Sequence, residues 1–153
     1  MNKSVNSPAI QVLQSILSGL LAGAQMHYVH AQINKQRGFG KLASRMLEEY
    51  EEEMASVAEV INHLRRLGGA IEVKPEAVTI YPDVEEQIRR EYELQHQGVA
   101  ELEAAIKSTE LDLVTDNYLQ SYLDDEAEHE AWLKQQVELI ELLGISNYLA
   151  KQI

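Results

Sequence analysis

Glu126 and His129 stand three residues apart in the stretch LDDEAEHEAWL, residues 123–133. On a helix that spacing stacks a carboxylate and an imidazole on one face. The pair is either part of a metal site or an acidic surface that contains a histidine, and the face it occupies bears on which. Stepping alternately by three and four gives the apolar seam of its helix as Leu119, Tyr122, Glu126, His129, Leu133, Gln136 and Ile140. The pair is therefore expected to point inward.

The same count puts polar residues into the other seams. One runs Ile10, Leu13, Leu17, Leu20, Ala24, His27, Ala31. A second runs Leu42, Met46, Glu49, Glu53, Ser56, Val60, His63, Leu67. A third runs Val84, Ile88, Glu91, Gln95, Gly98, Leu102, Ala105. Burying an unpaired carboxylate costs several kcal/mol. Several polar side chains at one depth therefore need a joint reason, and a hard cation or a hydrogen-bond network would supply one.

The elements that position them are four long helices. Ser7 offers an N-cap and Pro8 a first helical residue for a helix over 8–36. The pattern resumes over 39–67 and stops at Gly68-Gly69. Residues 68–82 break the period, hold two of the three prolines and read as an extended crossover. Pro82-Asp83 opens a helix over 83–108, a fourth covers 111–143, and Gly144 separates a short fifth over 145–152. Two short links and one long crossover give an all-α four-helix bundle in which the second and third helices run parallel. One domain over 1–153 is expected.

Net charge is −12 and the pI about 4.8, which argues against nucleic acid or an anionic membrane as partner. There is no cysteine, hence no disulfide or thiolate chemistry, and the chain suits a reducing cytoplasm. The stretch MNKSVNSPAI does not read as a signal peptide or a transmembrane segment.

The segments LQSILSGLLAGAQMHYVHAQ, EEEMASVAEVI and DVEEQIRREYEL, followed by YLDDEAEHEAWL through LGISNYLAKQI, resemble the bacterioferritins in order and spacing over almost the whole chain. The resemblance implies a ferritin-like iron store, a hollow shell of twenty-four subunits. It also implies a di-iron centre built from one Glu on each of two helices and a Glu-x-x-His on each of the other two. Carried over by position, that set is broken. The helix-one Glu falls on Leu20. The helix-two pair falls on Glu53 and Ser56, and the helix-three Glu on Gln95. Glu53, Glu126 and His129 remain as metal ligands, with Gln95, His27 and Glu49 as weaker candidates. His27 stands where the family has a tyrosine. It would be either a new ligand or a hydrogen-bond partner of Glu53 or Glu126.

The family's haem is held by a methionine from each of two subunits, and that methionine falls on Met54. Following Glu53, it points about 100° away from the seam, toward a neighbour. Glu51 and Leu47 depart from the family's pattern around it. Glu48 and Glu52 fall on the face that in the family looks into the iron cavity. His30, His63 and His96 read as packing or surface histidines, and Trp132 and Tyr148 as interface aromatics.

The function that follows is a haem-binding, iron-storing shell subunit without a complete ferroxidase centre, working in a homo- or hetero-oligomer with a ferroxidase-competent paralogue. The alternatives are a self-sufficient ferroxidase with an altered site, and a ferritin-like scaffold or binding protein that uses neither metal nor haem.

Overall fold

The computed structural model describes residues 7–153. The first six residues, where no leader is expected, lie outside the described part. The helices are α1 (Pro8–Gln36), α2 (Gly40–Arg66), α3 (Val84–Ser108), α4 (Leu113–Leu143) and α5 (Ile145–Ala150), and there is no strand among the described residues. Each lies within about two residues of the span its apolar period gives.

Three of the starts are capped by side chains. Ser7 accepts a hydrogen bond from the Ile10 N–H at 3.3 Å, with Pro8 opening the helix behind it. Asp83 accepts from Glu86 N–H and Asp112 from Thr115 N–H, each at 3.2 Å. These bonds satisfy donors that the first turn of a helix leaves free. Gly144, at φ 76°, ends α4 in a backbone conformation that other residues adopt only with strain.

The crossover runs the length of the bundle. Near its start, the Ala70 carbonyl accepts from Gln14, early in α1, and the Gly69 Cα lies against Ile10. At its far end the Tyr81 N–H donates to His30 and the Pro82 carbonyl accepts from Arg37, just past α1. Since α1 and α2 form an antiparallel hairpin, α3 starts at the end where α2 started, and the two run parallel.

The interior has an apolar cluster at each end and a polar layer between. Ile10, Leu13, Leu17, Leu20, Val57, Val60, Leu64 and Leu119 form one cluster. Ala31, Leu42, Met46, Val84, Ile88, Ile140 and Tyr148 form the other. Between them lie His27, His30, Glu49 and Glu91, all buried, with Glu53, Gln95, Glu126 and His129 partly so. Helix α1 is apolar and long enough to cross a membrane. Its most apolar stripe, however, is taken up by the core.

Two seam or surface expectations change. Tyr148 is not an interface aromatic: it is 1% exposed, and its hydroxyl donates to Gln136 at 2.9 Å, docking α5 onto α4. Trp132 is partly exposed, with the Arg45 guanidinium over its ring and His129 against it. Gly98 is exposed, because it lines the open cleft between α1 and α3 rather than a packed seam.

Candidate metal centre

Leu20, Gly23 and His27 of α1, Glu53 of α2, Glu91 and Gln95 of α3, and Tyr122, Glu126 and His129 of α4 line one cleft of about 960 Å³. The fold thus brings Glu53, Glu126, His129, Gln95 and His27 together, as their seam positions require. Glu49 joins from the side, its Oε1 2.9 Å from His129 Nδ1.

Each of these groups has a protein partner. His27 lies between two carboxylates, with Nδ1 2.9 Å from Glu53 Oε2 and Nε2 3.2 Å from Glu91 Oε2. Of the partners expected for it, Glu53 is present; Glu91, not Glu126, is the other. Glu126 is held instead by Gln95, whose Nε2 donates to its Oε2 and to its backbone carbonyl, both at 2.9 Å. Gln95 therefore turns its NH₂, not its carbonyl oxygen, toward the carboxylate. The contact of His129 with Glu49 is short but too bent for a hydrogen bond. Arg45 completes that corner, its Nη1 2.6 Å from Glu49 Oε1 and its guanidinium 4.7 Å over the Trp132 ring. Trp132 in turn lies parallel to the His129 imidazole at 6.0 Å.

Two members of this layer were not singled out by the sequence. Glu91 is 4% exposed and accepts from both histidines of α1. His30, fully buried, lies with Nδ1 3.0 Å from Glu91 Oε1, while its Nε2 accepts the Tyr81 N–H at 3.0 Å. Because Nε2 accepts, its proton sits on Nδ1 and is donated to Glu91, so a neutral ring satisfies both bonds. The available signal was the i,i+3 spacing of His27 and His30, on a helix with no Asp or Glu, facing a seam carboxylate of α3.

The electrostatics follow from these contacts. Burial opposes charge on the His27 imidazole, but Glu91 and Glu53 outweigh it and hold its pKa well above 6.5. Burial likewise pushes the Glu91 carboxyl up, yet His27 and His30 bring it down to about 2. Burial keeps Glu53 above the ordinary carboxylate value, with His27 offsetting part of the rise. Glu126 is raised for the same reason, offset in part by Gln95. Glu49 is lowered, because His129 and Arg45 overcome its burial. These are the opposing effects of desolvation and of charged neighbours.

Leu20 and Ser56 stand where the resemblance implies metal ligands. Leu20 is 5% exposed and packs in the apolar cluster with Leu17 and Val57. Ser56 is partly buried on α2. No group of three or more His, Cys, Asp or Glu side chains among the described residues is disposed to hold a metal ion.

Met54 lies on the outside of the α1–α2 pair, 39% exposed. One turn before it on α2, Tyr50 meets Tyr28 of α1 with ring centroids 5.4 Å apart. Glu51, on the other side, is exposed, as are Glu48 and Glu52. His63 stacks on Tyr118 at 4.4 Å, and His96 pairs with Glu130 at the surface.

Residues 10–143 match the model of the ferritin-like domain family. The chain is 31% identical to a bacterial ferritin of Pseudomonas aeruginosa, over 94% of this chain and 96% of that one. It is 30% identical to a bacterial ferritin of Neisseria meningitidis, over 97% and 98%. Among solved structures, that of BfrA from M. tuberculosis superposes with a TM-score of 0.90 at 22% identity, covering 97% of this chain and 94% of that one.

Proposed function

This chain belongs to the ferritin-like domain family, as a bacterioferritin, and from that membership we propose that it is a haem-carrying wall subunit of an iron-storage shell that leaves iron oxidation to a second type of subunit. The observation that carries the reading is Leu20. A di-iron centre needs a carboxylate there, and the position is instead part of a close-packed apolar cluster. Two close cations need several carboxylates to offset their repulsion. With Leu20, Ser56 and Gln95 in the set, and Glu53 and Glu126 each hydrogen-bonded to protein groups, the residues present do not fit such a pair.

The features of Met54 do fit a haem. A thioether is a recognised axial ligand, this one is exposed, and the Tyr28–Tyr50 pair lies one turn before it along α2. Paired with Met54 of a second copy, it would hold a haem at a subunit contact, where the group supplies electron transfer into or out of the shell. Glu48 and Glu52 remain exposed on the same helix, available to iron as cargo. The high net negative charge suits a protein that attracts cations, and the absence of cysteine suits the cytoplasm. The reading is tested by the rate of Fe(II) oxidation by the homo-oligomer, and by whether a paralogous subunit co-purifies and supplies that activity.

A further inference from the structure

We propose that the cleft between α1 and α3 is a binding site for a linear aliphatic amine, with the hydrocarbon chain against the apolar half of the cleft and the ammonium head at its polar floor. The proposal goes beyond the reading of the chain as a shell subunit and needs neither haem nor iron.

The lining runs along α1 from Pro8 to His27, about 28 Å of helix at 1.5 Å per residue. A volume of about 960 Å³ spread over that length is long and narrow, the shape of an extended chain. The two halves differ. Toward the start of α1 the walls are Val12, Ile16 and Leu20, with Leu102 and Ala105 of α3 opposite. Val12 and Ile16 pack on the apolar cluster behind them and stay partly exposed on the cleft side. Across the middle the floor is Tyr122, Glu53, Gln95 and Glu126. Apolar walls with a few polar groups gathered at one place are the usual form of a small-molecule site.

Two glycines widen the cleft. Gly19 of α1 and Gly98 of α3 both line it, and a Cβ at either would meet nothing within 4 Å. Both lie inside helices, where glycine is a poor former, and neither has a positive φ that calls for it. What they provide is space.

The floor has acceptors to spare. Tyr122 stacks on Tyr118, and its hydroxyl has no hydrogen-bond partner among the described residues. Glu53 and Glu126 are each held through Oε2, which leaves Oε1 of both without a hydrogen-bond partner among those residues. An ammonium carries three donors and no acceptor, the complement of such a floor. Charge around the opening selects a cation as well. Among the described residues Arg90 is the one Arg or Lys on the lining, and it is paired with Glu93 at 2.8 Å. Glu76 and Glu101, both exposed, line the cleft without a positive partner. An anion with the same hydrocarbon chain would be repelled.

Calorimetric titration of the purified homo-oligomer with n-octylammonium chloride tests this, at neutral pH and in EDTA so that no metal ion competes. One equivalent per subunit should bind. n-Butylammonium should bind at least about tenfold more weakly, since each fully buried methylene is worth about fourfold and the cleft is open on one side. n-Octanoate, with a similar chain and the opposite charge, should not bind. Gly19→Leu with Gly98→Leu fills the cleft from open positions with better helix formers. The unfolding midpoint should therefore hold or rise, while the affinity for octylammonium falls at least about tenfold. Should the double variant fail to assemble, Gly98→Leu alone, at an exposed position, carries the same expectation. Absence of octylammonium binding overturns the proposal, and so does equal binding of octanoate. An affinity unchanged in the filled variant also overturns it, because the amine would then sit elsewhere on an acidic surface. None of these outcomes bears on haem or on iron oxidation, so the shell-subunit reading stands or falls separately.

Discussion

The Gln95 amide donates from one nitrogen to both the Oε2 and the backbone carbonyl of Glu126, each at 2.9 Å. Gln95 stands where the resemblance implies a bridging carboxylate, and here its amide clamps Glu126. Gln95→Glu should therefore destabilise the metal-free protein. It removes both donated bonds and sets a second carboxylate beside one that burial already holds above its ordinary pKa. A loss of about 2–4 kcal/mol is expected, and chemical denaturation with chelator present measures it.

The acid limb of stability should belong to Glu91. Its carboxyl stands at about 2 against an ordinary value of 4.5. A lowered pKa stabilises the fold fully above 4.5, and that stability is lost as the pH falls toward 2. The part at stake is at most roughly 3 kcal/mol. His27 has the opposite sense: its contribution is present below 6.5 and is lost only as the pH rises through its raised value. Unfolding curves between neutral pH and about 3 should show falling stability in the wild type. Glu91→Gln should start lower and flatten that limb.

Met54→Leu should remove haem and leave assembly intact. The two side chains are close in volume, and only the thioether can ligate. The check is the Soret band relative to protein absorbance, with the assembly's size measured alongside. An unchanged band in the variant would dismiss Met54 as the axial ligand.

Leu20→Glu alone should be costly. The residue lies in the apolar cluster with Leu17 and Val57, where a carboxylate has no cation to meet and His27 is already shared by Glu53 and Glu91. The expected loss is about 3–5 kcal/mol. Leu20→Glu, Ser56→His and Gln95→Glu together should regain part of that stability when Fe(II) or Co²⁺ is added, because only the full set offers a cation its charge. Thermal unfolding with and without metal reads both effects.

Much of this architecture was legible in the residues. The helix spans followed from apolar period, Ser7-Pro8, Pro82-Asp83 and Gly144, since caps and breakers act locally. The meeting of Glu53, Gln95, Glu126 and His129 followed from seam positions at one depth. The partner choice within the layer was not legible. Whether His27 would reach Glu53, Glu126 or Glu91 depends on helix rotation and on side-chain direction, which differ by fractions of a turn. The role of His30 needed the path of the crossover, because only the Tyr81 N–H makes its tautomer definite. Tyr148 was misplaced to an interface for a similar reason: six residues of helix after a glycine do not say which way they fold back.

The central claim is that this subunit stores iron but does not oxidise it at a di-iron centre, and the initial rate of Fe(II) oxidation tests it most directly. Anaerobic Fe(II) is mixed with the purified homo-oligomer in oxygenated buffer, and the Fe(III) absorbance is followed by stopped flow against a protein-free control. The account predicts a rate close to the control, with no fast phase proportional to subunit concentration. A fast phase that scales with subunits and disappears in Glu126→Gln would contradict it, and would mean that Glu53, Glu126 and His129 release their protein partners to hold iron.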